Sequence, residues 1–275
     1  NLDGLGYRGK TVVVTGGSSG MGEAAARFLG ELGAQVHIVD IQPPKVPHAS
    51  FHQCDLSDFA QVRATADALK AIAPIHFLFP CAGLPPHVKG PMYCMRVNYI
   101  GTRLFVEELV PSLRDGAGIA LISSDAAMGW QKNLAQNLEM LAIGDPDEAY
   151  AWCEADQASR VRDGYTSSKE MLVVWTQNAA VELGNSRRIR LNAIGPCPTQ
   201  TAFVDQSKEI MTDEFIAAWP FPSLGRMATA EEQAWPLILI NSPLCGAVSG
   251  SFLLTDQGFA SGVYTGAISP AFMGG

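Results

Sequence analysis

The sequence predicts one doubly wound α/β domain spanning 1–275, with a seven-stranded, mainly parallel sheet and helices on both faces. Three observations predict it. Short apolar runs rich in Val and Ile alternate with segments of helical periodicity, the pattern of βαβ units. The first run ends in a glycine-rich turn that opens a helix. The second run ends in an acid, Asp40, 20 residues after Gly20.

Composition narrows the function classes. The chain has 275 residues, 47% apolar and only 17% charged, enough for a sizeable core and little disorder. Its net charge of −8 disfavours a nucleic-acid groove or an anionic-membrane surface, since both need Lys/Arg clusters. Arg187, Arg188 and Arg190 form one short basic cluster, read as a solvated helix end. The six cysteines (Cys54, Cys81, Cys94, Cys153, Cys197, Cys245) show no C-x-x-C pair, zinc spacing or disulfide framework. Reduced thiols, no metal and a cytoplasmic protein are the expectation. No signal peptide is recognised, and no apolar run approaches the ~18 residues of a membrane span.

Lys10–Thr15 reads as a buried strand, and Glu23–Leu32 as a helix with Phe28, Leu29 and Leu32 on one side. Gly16-Gly17-Ser18-Ser19-Gly20-Met21-Gly22 lies between them. Glycine allows the backbone to approach a pyrophosphate, and the helix N-terminus offers free N–H groups with partial positive charge. Gly22 lets the helix pack on the strand. The next strand, Gln35–Asp40, places a carboxylate where it can bond ribose hydroxyls and repel a 2′-phosphate. Gly17, Ser18 and Ile41 carry no charge to hold that phosphate, so NAD is expected over NADP. The alternative is that Asp40 only caps a turn.

Further along, Ser50–Leu56 reads as a strand and its exit, Asp58–Ala71 as a helix stopped near Pro74, and His76–Pro80 as a fourth strand. Met92–Leu113 is long enough for a helix and carries Asn98, a poor helix former. Gly118–Ser124 reads as a strand ending in two serines. Tyr165 and Lys169 lie one turn apart on a helix running to about Gly184, so both project from one face. A cation near a phenol favours phenolate and lowers its pKa, which suits Tyr165 to proton transfer at neutral pH. Ile189–Ile194 and Ser251–Asp256 complete the sheet. Thr229-x-x-Glu232 reads as a capping box that starts a helix to about Asn241.

Taken in order, Thr15-Gly-x-x-x-Gly20-x-Gly22, Asn98, Ser124 and Tyr165-x-x-x-Lys169 resemble the classical short-chain dehydrogenases/reductases, and the resemblance runs through the chain. It implies a Rossmann-type domain. It also implies a catalytic set of Asn98, Ser124, Tyr165 and Lys169: Asn98 holds a water beside Lys169, and Ser124 orients the reacting oxygen, with Ser123 as the alternative. For cofactor binding it implies Gly16, Ser18, Ser19, Gly20, Met21 and Gly22, with Asp40 and Ile41 beyond. Asp55 and Leu56 fall at the adenine, although Asp55 could instead only cap the next helix. Cys81, Ala82 and Gly83 stand where the family has Asn-Asn-Ala-Gly, beside ribose and nicotinamide. Pro196, Thr199 and Thr201 follow the sixth strand, and Tyr165 and Lys169 reach the nicotinamide ribose.

From Ser124 to Tyr165 is 165 − 124 = 41 positions, longer than in most classical members. The insertion at 125–164 predicts a helix over Asn133–Ala142 and another over Pro146–Val161. It resembles the bacterial 3α-hydroxysteroid dehydrogenase/carbonyl reductase group. It serves either as a roof over a bulky apolar substrate or as an extension that packs elsewhere, against another subunit for example. Ala202–Phe221 is expected over the site, with Phe203, Phe215, Trp219 and Phe221 as apolar candidates. The tail to Gly275 suits a subunit contact or pocket edge. The expected reaction is reversible hydride transfer between NAD(H) and a secondary alcohol/ketone on a bulky cyclic or steroid-like substrate, in a homodimer or homotetramer. The competing readings are a reductase of a smaller ketone or diketone, and an NAD-responsive binding protein without chemistry.

Overall fold

Val12, Val13 and Val14 fill the first strand, β1 (Thr11–Thr15), and all three are fully buried. A strand covered on both faces reads as a continuous apolar run. β2 (Gln35–Asp40), β3 (Ser50–Gln53), β4 (Ile75–Pro80), β5 (Leu113–Ile122), β6 (Arg190–Pro196) and β7 (Phe252–Thr255) join it. The computed structural model describes residues 2–85, 87–206 and 211–269. The seven strands pair in the order β3-β2-β1-β4-β5-β6-β7, and every pair is parallel. The order reverses between β1 and β4, so a crevice opens at the C-terminal ends of those two strands.

Helices cover the two faces unequally. α1 (Gly20–Glu31) and α11 (Ala230–Asn241) pack together on one face, over Val12, Val14, Ile38, Phe79 and Ile122. The other face carries α2 (Phe59–Leu69), α3 (Pro91–Met95), α4 (Thr102–Leu109) and α8 (Tyr165–Arg187), over Val13, Leu78, Ile119 and Leu121. Local sequence fixes the helix starts. Asp58 accepts from Ala60 N and Gln61 N at the head of α2. This identifies the cap as Asp58 rather than Asp55. Thr229 and Glu232 form the expected capping box of α11.

The segment expected as one helix over Met92–Leu113 is interrupted. Arg96–Gly101 forms a π-helical turn between α3 and α4, Val110–Ser112 form a 3-10 turn, and Leu113 is already in β5. Asn98 sits inside that turn. Gly101 lets it approach Leu56, since a Cβ there would lie 1.9 Å from the Leu56 carbonyl oxygen.

The insertion divides in two. A 3-10 stretch, Asp125–Asn133, passes beside the ends of β5 and β6. α5 (Leu134–Leu141), α6 (Pro146–Ala155) and α7 (Gln157–Arg160) then lie outside the α4/α8 layer. Met140, Ala149 and Cys153 are buried against that layer, and Arg103 on α4 donates to the carbonyls of Leu141 and Ile143. The helix expected over Pro146–Val161 breaks at Asp156, whose side chain caps α7 by accepting from Ser159 N at 3.2 Å.

α9 (Ala202–Gln206), α10 (Asp213–Ala218) and α12 (Phe259–Thr265) follow β6 and β7. A two-strand ladder, Thr199–Gln200 with Ala228–Thr229, was not expected from the sequence. Residues 270–275 of the expected subunit-contact tail lie outside the described residues.

Candidate active site

A cavity of about 350 Å³ lies at the β1/β4 crevice. Gly16, Ser19, Gly20, Met21 and Gly22 form its floor. A Cβ at Gly22 would lie 2.2 Å from the Gly16 carbonyl oxygen and 3.1 Å from the Cys81 Cβ, so only glycine lets α1 start this close to the sheet. The α1 N-terminus therefore points its free N–H groups at the cavity, as an anion cradle requires. Asp40 and Ile41 line one end, with Asp55 and Leu56 beside them. Cys81, Ala82 and Gly83 line the middle, and Thr201 closes over it. Ala82 N donates to Thr15 Oγ1 at 3.2 Å and Cys81 N to Thr15 O at 3.1 Å, so Thr15 braces this turn.

Ser18, Pro196 and Thr199 do not line the cavity. Ser18 N donates to Asp40 Oδ2 at 3.0 Å, and Gln42 N to Asp40 Oδ1 at 3.0 Å. The Asp40 carboxylate is thereby oriented at the cavity edge. Pro196 is buried, and the Thr199 hydroxyl turns back to Cys197 O at 2.7 Å.

The four residues expected to carry chemistry do not line the cavity themselves but gather behind its lining residues Gly83, Leu84 and Phe203. Gly164 has φ +74, and a Cβ there would lie 2.3 Å from Pro91 O; this tight turn makes Tyr165 the first residue of α8. Lys169 Nζ lies 5.6 Å from the Tyr165 ring centre and donates to Ile122 O at 3.0 Å. Asn98 is fully buried and holds both backbone groups of Leu84, a cavity-lining residue: Leu84 N donates to Oδ1 at 2.9 Å and Nδ2 donates to Leu84 O at 3.0 Å. A Cβ on Gly83 would lie 3.4 Å from both Asn98 Oδ1 and Lys169 Nζ, so the group opens onto the cavity there. Of the two serines, Ser123 donates to Lys169 O at 2.8 Å. The Ser124 hydroxyl faces the Tyr165 phenol and favours its ionised form.

The electrostatics depart from the sequence expectation. Burial, then the nearby Asp125, Cys94 and Asp163, push the Tyr165 phenol above its ordinary value, against a lowering by Ser124. The expected acidification by Lys169 is not among the influences on the phenol, and desolvation of the phenolate dominates. Burial pulls the Lys169 ammonium down to about 8, with Cys94 and Cys81 opposing. Burial also pushes the Cys94 thiol up to about 12, so it stays protonated beside Asn98.

Several site residues escaped the sequence reading. Val88, Lys89 and Tyr93 complete the wall near Asp55. Tyr93 OH donates to Asp55 Oδ2 at 3.1 Å, and Lys89 Nζ donates to Tyr93 OH at 3.2 Å. Phe203, one of the apolar candidates expected over the site, lines the cavity, and its ring lies 5.5 Å from that of Tyr165. Asp125 is buried against Ser124, with Ser124 Oγ donating to its Oδ1 at 3.0 Å. Met128, Trp219 and Phe259 form an apolar cluster next to this end. Phe215 packs on Trp219, with ring centres 5.4 Å apart. α5, α6 and α7 contribute no residue to the cavity.

Comparison with known proteins follows this geometry. A short chain dehydrogenase model matches residues 10–135, and an enoyl-(acyl carrier protein) reductase model matches residues 150–260. The chain is similar to coniferyl-alcohol dehydrogenase of a Pseudomonas species, 29% identical over 252 residues that cover 92% of this chain and 97% of that protein. It is 28% identical over 252 residues to 3-alpha-hydroxysteroid dehydrogenase/carbonyl reductase of Comamonas testosteroni, covering 90% and 95% respectively. The crystal structure of 3-alpha-hydroxysteroid dehydrogenase from a Pseudomonas species complexed with NADH shares the fold, with a TM-score of 0.77 at 23% identity over 94% of this chain and 100% of that one.

Proposed function

The chain belongs to the short-chain dehydrogenase family, and on that premise we propose that it interconverts a secondary alcohol and its ketone with NAD(H), on a bulky cyclic or steroid-like substrate. The observation that carries this reading is the gathering of Asn98, Ser124, Tyr165 and Lys169 against Gly83, Leu84 and Phe203, which line a glycine-floored cavity. NAD, when bound, accepts the hydride and adds a positive charge near Tyr165. The glycine cradle and the α1 N-terminus hold its pyrophosphate, Asp40 the adenosine ribose, and Asp55 and Leu56 the adenine. Asp40 at the cavity edge, with uncharged Ser18 and Ile41 beside it, favours NAD over NADP.

Tyr165 receives the alcohol proton during oxidation and returns it to the ketone oxygen during reduction. Lys169, held by Ile122 O, keeps a cation beside the phenol and reaches the ribose. Ser124 orients the reacting oxygen, and Asn98 fixes Leu84 and shields the Lys169 side. Phe203 and the Met128–Trp219–Phe259 cluster supply apolar surface for a ring system. The same proposal keeps 1–275 as one catalytic domain, with 125–164 as an extension whose outer helices brace α4 and α8. A homodimer or homotetramer in the cytoplasm completes it; six free cysteines support a reducing compartment, and sedimentation tests the assembly.

The test is NADH formation with a panel of cyclic secondary alcohols. Tyr165→Phe lowers kcat by at least about 10²-fold if the phenol moves the proton. Equal turnover by that variant refutes the mechanism. Asp40→Ala relaxes discrimination against NADP by about tenfold, read as the ratio of kcat/KM for the two cofactors. Faster turnover of the wild type with NADP than with NAD refutes the cofactor assignment.

A further inference from the structure

We infer that Asp125 is a positioning residue that decides whether Ser124 can donate to the reacting oxygen or can only accept from it. The inference rests on the alcohol–ketone reading above and extends it to a side chain with no role there.

A serine hydroxyl has one proton and two lone pairs. At Ser124 one lone pair is occupied by Ala126 N, which donates at 3.1 Å. The proton points to Asp125 Oδ1, 3.0 Å away. One lone pair remains for the Tyr165 side. In that arrangement Ser124 can receive the O–H of an alcohol, but it has nothing to give a ketone. A ketone oxygen that gathers negative charge needs donors, and Tyr165 would be the only one.

Protonating Asp125 reverses the pair. The carboxylic acid donates to Ser124 Oγ, and the serine proton turns to the reacting oxygen. Reduction then has two donors. Atoms balance without a new reactant: the carbonyl carbon takes the hydride, its oxygen takes the Tyr165 proton, and the Asp125 proton stays within the Ser124–Asp125 pair.

The surroundings leave that choice to Asp125. The side chain is 8% exposed, and its Oδ2 is buried with no hydrogen-bond partner. The titratable groups that face it are Asp256 beyond β7, Tyr165 at the head of α8 and Cys197 beyond β6. None of them is a cation. Asp256 is itself fixed by Gly258 N at 3.0 Å and Ala260 N at 2.7 Å, so it remains a nearby acid. Burial, then Asp256, push the Asp125 carboxyl up to about 7, against the Ser124 hydrogen bond. The change of state therefore falls near neutral pH.

The experiment measures kcat/KM for ketone reduction from about pH 5.5 to about pH 9 in wild type, D125N and D125A. In wild type, reduction falls up to tenfold per pH unit above about 7, and alcohol oxidation lacks that limb. D125N keeps a permanent donor on Ser124 and D125A frees its proton, so both lose the limb and reduce ketone at high pH. Variants that keep the wild-type limb overturn the inference. A second readout needs no turnover: the carboxyl carbon signal of Asp125, followed by NMR in ¹³C-aspartate-labelled protein. It titrates near neutrality in wild type and at higher pH in S124A, where its side-chain donor is gone. Titration in the ordinary carboxylate range, or no movement in S124A, overturns the pairing even if the variants of Asp125 fail to fold. If no alcohol or ketone turns over, the proposed function fails, while the carboxyl titration still decides the Ser124–Asp125 pair.

Discussion

Asp55 and Asp125 are the same side chain at two ends of one site, and their carboxyls move in opposite directions. Burial pushes both up. At Asp55 the hydrogen bonds from Ser57 and Tyr93, with the Lys89 charge, outweigh it and leave the carboxyl below its ordinary value. At Asp125 a single side-chain donor and a neighbouring acid leave burial dominant, and the carboxyl rises to about 7. Depth and the sign of the neighbouring charge, more than the number of donors, separate the two: both carboxyls accept from side-chain and backbone groups, but Asp125 is buried beside an acid and Asp55 is half-buried beside Lys89. One end of the site keeps a fixed negative charge, and the other has a charge that pH can remove.

The largest effect that would break this contrast is at Asp125. Its folded-state carboxyl lies above the unfolded value, so the folded chain holds a proton that the unfolded chain has lost between about pH 4 and about pH 7. Stability therefore falls as pH rises through that window, by an amount on the order of 2–4 kcal/mol. D125N removes the loss. Thermal melts of wild type and D125N should move apart in the variant's favour from pH 5 to pH 8, by several degrees; parallel melts would mean Asp125 is ionised throughout.

Asp55 predicts the opposite sign. Its carboxyl is held below the ordinary value, so its contribution is present above the unfolded pKa and is lost as pH falls through the folded one. Solvent screening at this half-buried site limits the cost of D55N to about 1 kcal/mol at neutral pH. Urea titrations at pH 7 and pH 3 check it, and the difference should shrink at the lower pH. Tyr93→Phe removes one donor, the phenol at 3.1 Å, and costs about 0.5–1 kcal/mol. It should also raise the Asp55 titration. If it leaves that titration unmoved, Ser57 and Lys89 alone hold the charge.

The sheet was readable because each strand is a short apolar run with its own stop: Gln35–Asp40 has the same limits in sequence and structure, and the capping box at Thr229 announces α11. Tyr165, Lys169, Asn98 and Ser124 were readable as spaced motifs, and the structure gathers them next to cavity-lining Gly83, Leu84 and Phe203. Asp125 was not. Nothing local marks it, since its state depends on burial and on Asp256, which the fold brings from far along the chain. Lys89 and Tyr93 escaped for the same reason, meeting Asp55 only through the packing of α3. The high phenol of Tyr165 was missed because spacing reveals a neighbouring cation but not the depth of burial. The break in the second insertion helix did have a signal: Asp156 with Ser159 three residues on is a cap in the middle of a run. The side on which the insertion would pack had none, because its apolar stripe fits any greasy surface.

Glu170, next to Lys169, joins the two ends of that insertion. Asn133 Nδ2 donates to both of its carboxylate oxygens, at 3.2 and 3.0 Å, and Arg162 pairs with it from the other side. Residues 134–161 thus leave and return to one buried point on α8. The entropy of closing such a loop depends weakly on its length, about 0.6 kcal/mol for each doubling. Changes of length are therefore cheapest at the turns between its helices, since Met140, Ala149 and Cys153 pack the helices themselves against the α4/α8 layer. The outer face of the segment can thus vary in what it touches while Glu170 keeps both of its ends anchored beside Lys169.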